Sequence, residues 1–272
     1  MKMFKLNPRL ARGATAALAL GLLLGAQTSM ACSVENWSLN SGNVSVGGRV
    51  ADGIERYSGV CAMQTADGAI SWVQDESPSP GGISRIVSRF YVLNNLANGE
   101  TADIYRGFAS TSGNSPLFTL TMTDGGQIVL RDEATGATVD QTAPNEWASV
   151  VIDWAQGAGA GSISLSVSGL AAETVSSLSN DGSLLQSVRL GNLDGSAGSL
   201  NFDAYESRRS TQPELLLIGD VNGNGEITSA DIVGARLEFL GTEQPGQPDC
   251  NENGSITSAD IVCTRLEFLN AP

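Results

Sequence analysis

Two segments of the chain carry oxygen-bearing side chains at one shared spacing. Residues 219–241 read GDVNGNGEITSADIVGARLEFLG and residues 248–270 read PDCNENGSITSADIVCTRLEFLN. At an offset of 29, sixteen of the 23 positions are identical, which marks an internal duplication. Each copy opens on a twelve-residue stretch. In the first, positions 1, 3, 5, 9 and 12 are Asp220, Asn222, Asn224, Thr228 and Asp231. The second repeats them as Asp249, Asn251, Asn253, Thr257 and Asp260, and position 6 is Gly225 or Gly254. Calcium takes about six to eight oxygens, and a loop wraps it only by turning sharply at its sixth residue. Gly adopts the backbone angles of that turn without a Cβ clash. Position 7, Glu226 or Ser255, supplies a backbone carbonyl, so its side chain is free to vary. Position 12 is usually Glu, and Asp231 and Asp260 are one methylene shorter. With Asn at positions 3 and 5, each loop brings two carboxylates to the ion. Two Ca²⁺ ions bound at roughly 10⁻⁶ to 10⁻⁴ M are expected.

The elements that position these loops are short. After the first loop, Ile232, Val233, Arg236, Leu237 and Leu240 recur at helical spacing, which predicts one exiting helix per copy with an apolar stripe. No comparable helix precedes either loop. Upstream, the pattern changes to short alternating runs over residues 32–209. They are Arg85 to Leu93, Leu117 to Met122, Gln127 to Arg131, Ser149 to Trp154, Ser162 to Val167, Ser187 to Leu190 and Ser199 to Ala204. Asp124-Gly125-Gly126 between two of them reads as a hairpin. Evenly spaced strands of this kind predict a single antiparallel sandwich, with 210–218 as a linker and 219–270 as a second domain.

The duplicated loop-helix resembles a type I dockerin, in which two EF-hand-like units pack antiparallel around a small calcium-dependent core. The resemblance spans Gly219 to Leu269, with Asn instead of Asp at the fifth loop position and two cysteines in the second copy as departures. It implies calcium held by the residues above. It also implies a cohesin-like protein partner bound through Ser229, Ala230, Ser258 and Ala259, with Arg236 and Arg265 nearby. In the upstream region, Glu146 to Trp154, Gly161 to Gly169, Arg189-Leu190-Gly191 and Phe202-Asp203-Ala204-Tyr205 resemble the second half of a laminin-G-like, concanavalin-type jelly roll. That likeness implies a sandwich that binds carbohydrate or protein, and in some relatives cleaves polysaccharide. The fold class expected is mainly β: an antiparallel jelly-roll sandwich followed by a small α-helical calcium-binding module.

Composition narrows the function. The chain has 272 residues, 15 Lys+Arg against 29 Asp+Glu, and no His. A net charge of −14 argues against nucleic acid as a partner and favours divalent cations. Lacking His, the chain cannot build the usual triads or His-based acid–base pairs. Lys2, Lys5, Arg9 and Arg12 precede an apolar run from Ala14 to Ala26, and Ser29-Met30-Ala31 supplies a cleavage site. Residues 1–31 therefore read as a secretory signal cut before Cys32. A lipoprotein reading of Cys32 is disfavoured, because Ser29 stands where such signals carry Leu. No other run reaches the length of a membrane-spanning helix. A secreted, extracellular or cell-surface location is expected, with the periplasm as a variant of it.

An exported chain should pair its four cysteines, in one of three connectivities. Cys250 and Cys263 replace Val221 and Gly234 of the other copy together, which predicts Cys250–Cys263 and leaves Cys32–Cys61. Trp154 shares strand parity with Val150 and Ile152 and is expected in the core. Trp37, Trp72, Tyr91 and Tyr105 are not placed by pattern, and each is a candidate platform for a sugar ring. Glu146 and Asp153 are seven apart, on opposite strand faces, and no catalytic set is identified. The leading expectation is a calcium-binding adhesion or carbohydrate-binding protein with a docking module. The alternatives are a dockerin-bearing glycoside hydrolase or lyase, and a purely structural surface protein.

Overall fold

The computed structural model describes residues 33–143 and 146–271; the expected signal segment and Cys32 lie outside the described residues. Fourteen strands form two antiparallel sheets. One runs, edge to edge, β1 (Leu39–Ser41), β4 (Ser71–Asp75), β13 (Ser187–Asn192), β6 (Thr101–Phe108), β7 (Pro116–Thr123), β8 (Gln127–Asp132) and β9 (Thr138–Thr142). The other runs β12 (Glu173–Ser179), β11 (Ala158–Val167), β10 (Trp147–Ala155), β5 (Arg85–Leu96), β14 (Gly198–Arg208), β3 (Ala62–Thr65) and β2 (Val44–Gly47). Each strand read from alternation lies inside one of these, and the Asp124-Gly125-Gly126 turn joins β7 to β8.

The pleat explains the pattern. In β10, Ala148, Val150, Ile152 and Trp154 face the core and are fully buried. They meet Phe90 and Val92 of β5 and Leu120, Ile128 and Leu130 of the opposite sheet. β5 departs from alternation because both of its faces are covered: every residue from Ile86 to Leu93 is buried. On its outer side Tyr91 and Leu93 join Tyr57 and Trp147 in a second cluster against Leu216, with the Tyr57 and Tyr91 rings stacked 3.7 Å apart. The expected linker 210–218 supplies that cover. Arg89 donates to the carbonyls of Glu214 and Ala204, and Leu216 N–H donates to the Tyr91 hydroxyl.

β14 carries a bulge between Asp203 and Glu206, where Ala204 takes a φ of +47°. The Asp203 carboxylate accepts from the N–H groups of Tyr57, Ser58 and Ala204. Burial pushes it up to about 6, although those three donors pull the other way.

The helices are α1 (Arg49–Asp52), α2 (Ser229–Phe239) and α3 (Ser258–Asn270). α2 and α3 each exit a loop, as the repeat predicts, but their apolar stripe does not face inward. The buried α2 positions are Asp231, Gly234, Ala235 and Glu238, while Val233, Leu237 and Leu240 are exposed. Buried polar contacts hold the module. Glu238 is fully buried and accepts from Arg49 at 2.9 Å, from Arg56 at 2.8 Å and from Gln244 N–H at 2.6 Å. Arg49 also donates to the Glu238 carbonyl in the last turn of α2, where a cation is favoured by the helix dipole.

Arg56→Ala is expected to lower the unfolding free energy by about 3 kcal/mol, since Arg49 still partly neutralises Glu238. Urea unfolding measures this; a loss near zero would mean the buried pair holds nothing. Asp203 gives a pH signature. Its folded value lies above its ordinary 3.8, so the folded state binds the extra proton. The stability it contributes is complete below about pH 4 and is lost as pH rises through about 6. A carboxyl-carbon NMR titration should give its midpoint near 6, and a midpoint below 4 would contradict the buried setting.

Candidate metal centre

The two repeat loops adopt one geometry, residue for residue. In the first, Asn224 N–H donates to Asp220 Oδ1 at 3.1 Å and to Asn222 Oδ1 at 3.0 Å. Gly225 N–H donates to Asp220 Oδ2 at 2.8 Å, and Glu226 N–H to Asn224 Oδ1 at 2.9 Å. Asp231 reaches back from the first turn of α2: Oδ1 accepts Asn222 N–H and Oδ2 accepts Thr228 N–H and Oγ1. Thr228 and Asp231 thus form a capping box that fixes position 12 against position 9. The second loop repeats all of this. Asp249 accepts from Asn253 and Gly254, Asn251 Oδ1 from Asn253, and Asn253 Oδ1 from Ser255. Asp260 accepts from Asn251 and Thr257.

These bonds tie the side chains at positions 1, 3, 5, 9 and 12 to the loop's own backbone in both copies. Gly225 and Gly254 take φ of +84° and +80°, the left-handed turn that position 6 demands. Position 4 is also left-handed, at Gly223 in one loop and at Glu252, φ +57°, in the other. Asp231, Asp249 and Asp260 are almost wholly buried and Asp220 nearly so, yet among the described residues none of the four is in an ion pair. Burial first, and the facing Asp260 carboxylate after it, push Asp249 up to about 7. Paired buried carboxylates without a counter-charge, ringed by amide and carbonyl oxygens, fit a hard divalent cation. Only two carboxylates enter each loop, and no group of three or more His, Cys, Asp or Glu suited to a metal gathers among the described residues.

The residues expected to meet a partner, Ser229, Ala230, Arg236, Ser258, Ala259 and Arg265, are all exposed. They share the helical surface with exposed Val233, Leu237, Val262 and Leu266. Cys250 and Cys263 are bonded, with Cα atoms 5.7 Å apart. In the first copy Val221 fills the corresponding place: a Cβ added at Gly234 would lie 3.1 Å from Val221 Cγ1, tighter than ordinary contact. Cys61 is disulfide-bonded, and its expected partner Cys32 lies outside the described residues.

The second loop rests on the sandwich, a contact that strand and helix patterning does not reveal. Tyr57 Oη donates to Glu252 Oε1 at 2.7 Å, and Trp147 N–H donates to the Glu252 carbonyl. The one available signal was the mismatch of Glu252 with Gly223 between the copies.

The aromatic candidates separate cleanly. Trp154 is in the core, with its indole N–H on Asp132, and Tyr91 and Tyr105 are buried. Trp72 lies under the Arg189 guanidinium at 3.9 Å. Trp37 is half-buried beside Tyr205 at the sandwich rim. Asp153 is held by a bidentate pair with Arg85. No helix among the described residues is long and apolar enough to cross a membrane.

No family model matches the chain, and no curated protein matches it. Among solved structures it is similar to alginate lyase A1-II′, a member of polysaccharide lyase family-7, at 13% identity over 55% of this chain and 80% of that one, with a TM-score of 0.40. It is similar to the alginate lyase from Klebsiella pneumoniae at 14% identity over 56% and 82%, with a TM-score of 0.39. Trypanosoma rangeli sialidase matches at 12% identity over 56% of this chain and 26% of that one, with a TM-score of 0.40. The chain is a mainly β protein, a sandwich of two seven-stranded antiparallel sheets followed by a small helical part.

Proposed function

We propose that this is an exported calcium-binding protein in which a glycan-binding sandwich carries a dockerin-like docking module. The observation that carries this reading is the pair of loops with the same internal hydrogen bonds, each holding two buried carboxylates that are in no ion pair among the described residues. Asp220, Asn222, Asn224 and Asp231 would hold one Ca²⁺ with the Glu226 carbonyl, and Thr228 would serve directly or through water. Asp249, Asn251, Asn253, Ser255, Thr257 and Asp260 would do the same for the second. The ion supplies the missing positive charge and so couples binding to folding of the loop-helix units. The exposed apolar and small side chains of α2 and α3, with Arg236 and Arg265, offer the surface for a cohesin-like partner. The sandwich is read as binding glycan without cutting it, since the chain has no His and Asp153 is committed to Arg85.

Titration calorimetry of the secreted chain should find two Ca²⁺ sites at roughly 10⁻⁶ to 10⁻⁴ M, with Mg²⁺ competing poorly. Asp231→Ala and Asp260→Ala should each leave one site. Chelator should remove the helical signal of α2 and α3 while the sheet signal persists. Absence of Ca²⁺ uptake, or helices indifferent to chelator, would overturn the reading.

A further inference from the structure

At one rim of the sandwich, two hollows of about 390 and 210 Å³ share Trp37 and Tyr205. The larger is bordered by Asn36, Trp37, Asp75, Ser77 and Tyr205, and its volume is in the range of small-molecule sites. The two rings lie 4.9 Å apart at 45° and form a bent apolar wall. The β14 bulge, with Ala204 at φ +47°, sits immediately before Tyr205 and shifts its register. From there Tyr205 joins a chain of hydroxyls, Ser88 to Tyr105 at 2.9 Å and Tyr105 to Tyr205 at 3.2 Å, which ends at Asp75 at 3.5 Å. Burial, then the Asp75 carboxylate, push Tyr205 up to about 12, so the hydroxyl keeps its proton.

The polar groups of this wall are unevenly committed. Asp75 accepts from Ser77 N–H on Oδ1 and from Ser77 Oγ and Tyr205 Oη on Oδ2, so Oδ1 retains a free lone pair. Among the described residues, the Asn36 amide and the Trp37 indole N–H have no hydrogen-bond partner, and Asn36 is exposed. An apolar ring face beside a carboxylate, an amide and an indole N–H matches a molecule with one flat C–H face and a hydroxylated edge. The carboxylate borders the hollow itself, whereas Arg209, which donates to Ser77 Oγ and Ser207 Oγ, does not. With the chain at −14 overall, an anionic ring would be repelled and a neutral one admitted.

We infer that the Trp37–Tyr205 hollow is a binding site for a neutral sugar ring of a glycan, stacked on Trp37 and hydrogen-bonded by Asp75 and Asn36. This rests on the proposed glycan-binding role of the sandwich and names its site and ligand charge. The secreted chain is titrated with cellohexaose, xylohexaose, laminarihexaose and mannohexaose, with an alginate hexamer as the acidic comparator and choline as the cationic one. At least one neutral hexaose should bind, and alginate and choline should not. Trp37→Ala should weaken binding about tenfold or more and Asn36→Ala severalfold. Because Trp37 also packs on the core, the exposed and unpartnered Asn36 keeps the test valid if Trp37→Ala unfolds. Neutral-glycan binding that neither variant changes would overturn this site and leave the glycan-binding role standing. Failure of every neutral hexaose would overturn both. Alginate or choline bound in a manner lost with Asn36→Ala or Trp37→Ala would overturn the neutral-sugar assignment.

Discussion

Glu238 is the fixed point of the molecule's second half. A carboxylate with no exposed surface would be costly on its own, because burial strips its hydration. Arg49 and Arg56 supply the opposite charge, and the Gln244 N–H takes a further lone pair. Both arginines lie more than 180 residues upstream, so the contact closes a very long loop and sets where α2 can lie. Neighbouring contacts follow its placement. Val50 N–H reaches Glu243, Gly59 N–H reaches the Pro245 carbonyl, and Arg56 reaches Gly246. Gly246 in turn lies so close to Asp220 and Val221 that any Cβ there would strike the backbone of the first loop.

With α2 held by its glutamate rather than by its leucines, the usual logic of an amphipathic helix is reversed. Small and polar residues face inward, and the apolar stripe is left outward on both helices. This outward stripe is the surface on which the proposed partner would dock. The 210–218 segment and the second loop cover the outer face of β5, which is why Ile86 to Leu93 are buried on both faces. Tyr57, Tyr91 and Trp147 would otherwise expose an aromatic patch there.

The sequence is most legible where the chemistry is local. The loops could be read because the ligand spacing and the position-6 glycine are properties of twelve consecutive residues, and the copies check each other. Strands β5, β7, β8, β10, β11, β13 and β14 could be read from alternation or apolar runs. β4 escapes the pattern because Ser71 to Gln74 is buried on both faces and its polar residues, Ser71 and Gln74, mark no solvent side. A bulge between Asp103 and Tyr105 breaks the period of β6, and β12 is an exposed edge strand with little apolar signal. β1, β2 and β3 are only three or four residues long. The Glu238 contacts, and the meeting of Trp37 with Tyr205 and Asp75, join distant segments and have no local signature. The apolar stripe is legible as a period, but periodicity shows that a face exists and not which way it turns.

Divergence between the two copies follows what each touches. The first loop meets Gly246 at Gly223, where a side chain would press on the Pro245–Gly246 backbone. The second loop has Glu252 at the same left-handed position, a strained choice for a residue with a Cβ. The strain is offset by the Tyr57 hydroxyl on its carboxylate and Trp147 N–H on its carbonyl. Gly254 meets the sandwich too: a Cβ there would lie 2.9 Å from Leu93 and 3.1 Å from the Glu146 carboxylate, so its lack of one serves both the turn and the contact. One loop is thus fixed by its own repeat and the other by the sandwich. The two proposed calcium sites share ligands but not surroundings, and ordering of the second is tied to the β-sheet surface beneath it.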